Sequence, residues 1–470
     1  MINLLIILST YFVSFLDKPE KTAPQLSPRA VEQRDKWHIP TDGMDYPVSP
    51  MYMDSLRRMG VHIHHKSRWF NGVTCEMDET LAAKVKTLRF VTAVEMTRNS
   101  QPPIANSQRL IANSQQPIAN SQQLIAYNLP PLHQAGFEGQ GILMAVCDGG
   151  FTHADTLSCF RQKELQLGAF DFTDDEPLYG SGFYGADGRH GTQCLSTISA
   201  IRDGYYGAAV KAQYYLMRTE ETLTESPKEM DNLVAALETA DSLGVNIFSV
   251  SLGYYSFNHA DWSIDPATLD GKTHRASRAA TIAARKGMLI CVAAGNEAVH
   301  PWRTIGVPAD ADSVLTVGAV GADSLIASFS SIGPSADGRI KPEVCAVGYG
   351  TCLVDSGGQI IQNNGTSFAT PLIAGLAACL WSALPDENAM QIRERIIRSA
   401  DRYYQPDTQE HRYGYGIPDA WKAYTMKRED GLGDRTTDMP AERPEKVIRG
   451  SQILIIRHGH IYNLSGQLVE

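Results

Sequence analysis

The sequence predicts an α/β protein: a doubly wound, mostly parallel sheet with helices on both faces. Three observations carry that prediction. Ile142 to Cys147 is an uninterrupted apolar run, as expected of a strand buried on both faces. Met230 to Leu243 places apolar residues at 233, 236, 237, 240 and 243, a helical spacing, and Val245 to Val250 follows as the next strand. Ala276 to Lys286, helical again, precedes the strands Met288 to Ala293 and Val314 to Val317. Strands alternating with helices are the mark of such a sheet. Asn388 to Ser399 adds a late amphipathic helix.

The chain before and after this core divides by composition. Residues 1–20 contain an apolar run from Ile2 to Leu16. Fifteen residues are short for a bilayer span, and the run is read as a signal segment, although no basic stretch precedes it and no Ala-x-Ala site follows. Residues 21–98 form a small α+β unit. Asp54 to Gly60 and Asp78 to Leu88 read as helices, and Val61 to His65 and Phe90 to Val94 as strands. His62, His64 and His65 invite a metal reading, but no Cys or carboxylate partner is near them in sequence. Residues 99–127 are a linker carrying four copies of a seven-residue repeat, Asn-Ser-Gln-x-x-Ile-Ala, over 99–126. Its prolines and adjacent apolar pair argue against a coiled coil. Residues 128–428 hold the α/β domain. Residues 429–446 are a polar linker, and 447–470 a short β tail with turns at His458-Gly459 and Ser465-Gly466.

The 470 residues carry a formal net charge of −10, which speaks against a general nucleic-acid binder. Eight cysteines include no C-x-x-C pair, so a zinc or redox motif is not expected. Cys345 and Cys352 are close enough in sequence for a local disulfide, which spacing alone does not decide.

Ligand sites in doubly wound sheets lie at the carboxyl ends of the strands. Asp148, Ser251-Leu252-Gly253 and Asn296 each follow a predicted strand, and His190 precedes a predicted helix. Ser367 lies in Gly365-Thr366-Ser367-Phe368-Ala369-Thr370-Pro371, where a loop enters an almost wholly apolar helix. Alone, Ser367 reads as a helix cap and His190 as a structural histidine. Together the set suits acyl transfer. A serine hydroxyl needs a base to attack an amide, histidine supplies one, and a carboxylate fixes the imidazole tautomer. A side-chain amide and a backbone N–H bind the developing oxyanion. The chain order Asp, His, Ser differs from the Ser, acid, His order of α/β-hydrolases, and no G-x-S-x-G elbow surrounds Ser367. That order speaks against an esterase of that type.

The segments Ala145 to Gly150, Arg189 to Thr192, Ser249 to Gly253, Ala293 to Asn296 and Gly365 to Pro371 resemble those of the subtilisin-like serine peptidases, as does Tyr413 to Pro418 further on. The resemblance covers about 128–425. It implies a subtilisin-like fold and a serine endopeptidase acting on protein or peptide substrates. It implies Ser367 as nucleophile, His190 as general base and acid, Asp148 as the residue orienting it, and Asn296 in the oxyanion hole. Ser251, Leu252 and Gly253 would bind the substrate as an added strand. Gly149, Phe368 and Cys194 depart from the family pattern without removing a catalytic group. The rival reading is a catalytically inactive relative that only binds, and the presence of all four groups counts against it.

Residues 45–97 resemble the pro-regions of these peptidases through Ser67 to Asn71 and Phe90 to Val94, which implies an intramolecular inhibitor. The tail resembles short sorting or anchoring tails. The implied protein is therefore an exported precursor, destined for periplasm, cell surface or medium, with no membrane span in its mature form. No cofactor is required. Acid-rich Asp171 to Glu176 leaves calcium open beside a plain solvated loop.

Overall fold

A computed structural model of the chain describes residues 8–20, 22–98, 120–160, 163–173, 183–184, 188–221, 225–259, 262–426, 445–449, 452–457 and 460–463. Two compact units are present, Met1–Met426 and Lys427–Glu470.

The first part of the larger unit contains β1 (Ser9–Phe15), α1 (Pro28–Lys36), α2 (Pro50–Arg58), β2 (His62–Ser67), β3 (Gly72–Met77), α3 (Glu79–Val85) and β4 (Val91–Arg98). Its sheet has the order β2-β3-β1-β4. β1 pairs antiparallel with both β3 and β4, so the second half of the run read as a signal segment is a central strand of this sheet, and residues 2–7 lie outside the described residues. That Ser9–Phe15 does not read as a strand in the sequence has a physical cause. Tyr11, Val13 and Phe15 face the unit's own core, while Thr10 and Phe12 are also buried, with the Arg275 guanidinium 3.8 Å over the Phe12 ring. A strand covered on both faces loses the polar alternation that would identify it.

The second part runs through α4 (Asn120–Ala126), α5 (Pro130–Gln134), β5 (Leu143–Asp148), β6 (Gln166–Asp171), α6 (Arg189–Ser199), β7 (Ile201–Arg202), β8 (Tyr205–Tyr206), β9 (Gln213–Arg218), α7 (Lys228–Leu243), β10 (Ile247–Val250), α8 (Arg275–Arg285), β11 (Leu289–Ala293), β12 (Leu315–Val320), β13 (Val344–Val347), β14 (Thr351–Val354), β15 (Ile360–Asn363), α9 (Thr366–Ala383), α10 (Ala389–Ser399) and α11 (Ala420–Thr425). Seven strands form one sheet, β13-β12-β11-β10-β5-β9-β6, in which every pairing is parallel. Side chains of β5 divide between its faces as the pleat requires. Met144 and Val146 join the core under α9, and Leu143, Ala145 and Cys147 join the core under α7 and α8. The order reverses between β5 and β10, so the chain opens a crevice at their carboxyl ends.

Two linker and cysteine expectations change. The fourth repeat copy is helix α4, seated on β14, where the Gln123 side chain bonds both N–H and C=O of Cys352 at 2.9 and 3.0 Å. The other copies lie outside the described residues. All eight cysteines are buried free thiols, Cys345 and Cys352 included. Among the described residues, α9 is the helix long and apolar enough to span a bilayer, and 89% of it is buried in the core. The smaller unit holds β16 (Glu445–Arg449), β17 (Gln452–Arg457) and β18 (His460–Asn463) in an antiparallel meander. Ser465-Gly466 and His458-Gly459 lie outside the described residues.

Candidate active site

Asp148 ends β5 and is 1% exposed. His190, the second residue of α6, turns Nδ1 to it at 2.9 Å from Oδ1 and 3.0 Å from Oδ2. An ionised carboxylate only accepts, so the proton sits on Nδ1 and Nε2 is left as the base. The glycine at 149 costs no support, because its own amide donates to Asp148 Oδ1 at 2.8 Å. Gly191 is required by contact: a Cβ there would lie 2.1 Å from Gly150 O and 2.9 Å from Asp148 Cβ. Burial opposes charge on His190, but the Asp148 carboxylate dominates the remaining influences and the imidazolium is favoured well above the ordinary histidine range. The ring keeps about a third of its side-chain surface exposed.

Ser367 is the second residue of α9 and 8% exposed. Among the described residues no hydrogen bond joins its Oγ to His190 Nε2; such contacts commonly tighten only when substrate binds. The two are held in one layer by neighbours. Phe368 packs on the imidazole with ring centroids 5.5 Å apart. The Cys194 thiol lies 3.8 Å from His190 Nδ1 and donates to Ser367 O at 3.4 Å. Burial raises that thiol's pKa, so it stays neutral.

Asn296 follows β11. Its Oδ1 accepts the Thr366 N–H at 2.9 Å and the Thr366 hydroxyl at 3.1 Å. With the oxygen so engaged, the Nδ2 amide is fixed as a free donor. The Ser367 N–H is one of the unpaired donors of the first helical turn, and the helix dipole there favours negative charge. Thr366, which sequence reasoning passed over, orients the amide. Ser251 donates to Ser367 O at 2.8 Å, and among the described residues the backbone of 251–253 makes no backbone hydrogen bond. Asp148, His190, Ser251, Asn296 and Ser367 therefore converge at the crevice between β5 and β10.

Asp171 is a poor calcium ligand: its carboxylate is bound to Arg218 at 3.0 Å and to the Thr173 amide and hydroxyl at 3.0 and 2.6 Å. Residues 174–176 lie outside the described residues. The His62 and His64 rings are 4.8 Å apart and His64 lies 3.5 Å from Glu76 across the sheet, while His65 turns to Phe172 and Asn232, so among the described residues the three do not form one ligand group. The donor groups that do gather are Asp148, His190 and Cys194, and Glu220, Glu225 and Glu229.

Residues 139–416 match the family model described as the subtilase family, and residues 10–115 the model described as the peptidase S8 propeptide domain of Bacteroidota. A thermostable alkaline protease of Halalkalibacterium halodurans is 28% identical over 299 residues, 63% of this chain and 71% of the relative. Subtilisin E of Bacillus subtilis is 28% identical over 276 residues, 58% of this chain and 63% of the relative. The crystal structure of MycP1 with its N-terminal propeptide removed aligns with a TM-score of 0.51 at 24% identity, over 66% of this chain and 98% of that one. That likeness concerns the fold.

Proposed function

Since the chain belongs to the subtilase family of serine endopeptidases, we propose that it hydrolyses peptide bonds with Ser367 as nucleophile, His190 as base and acid, and Asp148 as the partner that fixes His190. An extended peptide pairs with the open edge at Ser251-Leu252-Gly253. His190 Nε2 takes the Ser367 Oγ proton as Oγ bonds to the carbonyl carbon. The oxygen, now negative, receives the Asn296 Nδ2 and Ser367 N–H donors. His190 returns the proton to the leaving amine, the C–N bond breaks, and an acyl-enzyme remains. Water attacks it by the same route in reverse. The observation that carries this reading is the Asp148–His190 pair, with its two oxygen-to-Nδ1 distances of 2.9 and 3.0 Å, at the strand-order reversal beside the N-terminus of α9.

Residues 8–98 act as the intramolecular inhibitor of an exported precursor. Their support is a docked interface. The Ser67 hydroxyl and the Arg68 and Trp69 amides all donate to the Glu238 carboxylate, at 2.5, 2.9 and 3.2 Å. No cofactor takes part in the steps above.

The test is Ser367→Ala. Hydrolysis of a denatured protein should fall about a million-fold in kcat, the scale known for loss of the subtilisin nucleophile. Near-parent activity in a folded variant would overturn the assignment. Persistence of the uncut precursor in that variant would support self-cleavage, and normal maturation would point to another protease.

A further inference from the structure

Residues 27–45 form an arm of the pro-region that crosses the amino ends of the peptidase strands, the side away from the crevice. Its helix α1 packs on α7. Among the described residues, none of the α1 side chains joins the apolar core of the sheet β2-β3-β1-β4. A helix of nine residues is marginal in water by itself, so α1 owes its order to its seat on the peptidase.

That seat is drawn from segments far apart in sequence. The Ser27 amide donates to Ser242 O at 2.8 Å. Arg29 donates to Gly244 O at 3.1 Å, to Gly141 O at 3.0 Å and to Asn246 Oδ1 at 2.7 Å. The same Asn246 oxygen accepts the Leu143 amide at 2.9 Å, so Arg29 lies where β5 and β10 begin. Ala30 is 2% exposed, and a Cβ on Gly244 would lie 2.7 Å from its nitrogen. Lys36 reaches Pro385 O at 2.7 Å. A Cβ on Gly287, just before β11, would lie 2.8 Å from Ile39 Cδ1. Asp42 and Asp45 close the arm on Lys286 at 3.0 and 2.8 Å.

The sheet of the pro-region uses a different surface. Arg275 of α8 enters it over Phe12 and pairs with Glu95 at 2.5 Å. Glu238 of α7 takes the Ser67 hydroxyl and the Arg68 and Trp69 amides. The two attachments meet at Asp241, which pairs with Arg34 of the arm and Arg68 of the sheet.

We propose that residues 27–45 are a second anchor, which holds the pro-region on the peptidase after the chain between them has been cut. Two linked attachments hold more tightly than either alone, because the one still closed returns the one that opens; the gain is roughly 10²–10⁴-fold. A cut between the two parts removes neither surface. The sheet therefore stays on α7 and α8 until the arm has also let go.

The inference rests on the reading of residues 8–98 as an intramolecular inhibitor, and the experiment separates the two. The full chain carries Ser367→Ala, an N-terminal affinity tag and, between residues 98 and 120, a recognition sequence for an added site-specific protease. It is bound through the tag and cut, and the peptidase part that washes off is followed with time. The cut parent should keep its peptidase part. With Ala30→Glu the part should leave roughly a hundredfold faster or more. A glutamate has no room against Gly244, yet three residues after Ser27 it completes a capping box and so leaves α1 itself intact. Equal rates overturn the anchor, and so does a parent that loses its peptidase part in the first wash. Thermal unfolding of the uncut variant confirms that it is folded. If it is not, Arg29→Ala is read in the same way. If neither folds, the arm belongs to the fold and is no detachable anchor, which also overturns the proposal. With Ser367 in place, full-rate hydrolysis of a denatured protein while the cut pro-region is still attached overturns the inhibitor reading and leaves the anchor standing.

Discussion

In an unbroken helix the carbonyl of Ser367 would accept the N–H of residue 371, but that residue is Pro371, inside α9. The freed oxygen is taken instead by Ser251 Oγ at 2.8 Å and Cys194 Sγ at 3.4 Å. The Ser367 backbone is thus tied to the end of β10 and to α6, the helix that carries His190. Ser251→Ala should lower stability by about 1 kcal/mol, since the thiol remains as a donor. Ser251→Ala/Cys194→Ala orphans a buried carbonyl, and the loss should reach about 1–3 kcal/mol and exceed the sum of the single changes. Denaturant unfolding of the four proteins checks this; strict additivity would argue against a shared role. The pH profile is a second test at this scale. In the proposed mechanism His190 must be neutral to act as base, and Asp148 favours its charged form. The acid limb of kcat/KM should therefore have its midpoint above the ordinary value of about 6.5, with activity rising as pH rises through it. Asp148→Asn removes the charge and leaves the burial. The midpoint should shift downward, and kcat fall by about ten-thousand-fold. An unmoved midpoint would contradict the assignment of the limb to this pair.

Among the elements, α4 is the one whose sequence reads most plainly as linker. The four copies vary at two positions, and only here does Gln stand before Leu, where the others carry Pro-Pro, Arg-Leu and Gln-Pro. Gln123 is 1% exposed and bonds β14 like a strand partner, and Leu124 is 5% exposed in the main core. Gln123→Ala takes the acceptor from the Cys352 N–H, while the Cys352 carbonyl keeps the Tyr205 hydroxyl at 3.3 Å, and should cost about 1–3 kcal/mol. Urea unfolding of the Ser367→Ala chain measures it, and an unchanged midpoint would show that the seat adds nothing. The same comparison tells what was legible. Continuous apolar runs located β5, β10, β11 and β12 to within a few residues, and motif order located Asp148, His190, Asn296 and Ser367. The strand β9 escaped notice because Gln213 and Arg218 close a run of only four apolar residues. The carboxylate cluster escaped because Glu229 in a first helical turn is an ordinary response to the helix dipole. Its formation depends on Glu220 and Glu225 folding back beside it. A seat on β14, or a strand covered on its second face by another part of the chain, has no local pattern at all.

Across the whole larger unit, the pro-region is held by buried charges drawn from both parts. Arg34 pairs with Asp241 and Asp45, Arg68 with Asp241, and Lys286 with Asp45, all between 2.6 and 2.8 Å. Such networks tolerate poorly the loss of one member. His65 lies in the same interface. Its Nε2 donates to Phe172 O at 2.7 Å and faces Asn232 Oδ1 at 3.1 Å. Burial, aided by nearby His64 and Lys228, holds its pKa down to about 4. The sign follows from the two states. Docked, the ring stays neutral down to about pH 4; released and solvated, it takes a proton near 6.5. Acid therefore favours the released state. The stabilisation is full above about 6.5 and is lost as pH falls towards 4, by about 3 kcal/mol at most for this one group. In the Ser367→Ala precursor, susceptibility of the pro-region to an added protease should rise across that window. His65→Gln, which keeps an N–H donor but cannot take up the proton, should flatten the rise. A variant with the parent's pH dependence would transfer the effect to the carboxylates of the network.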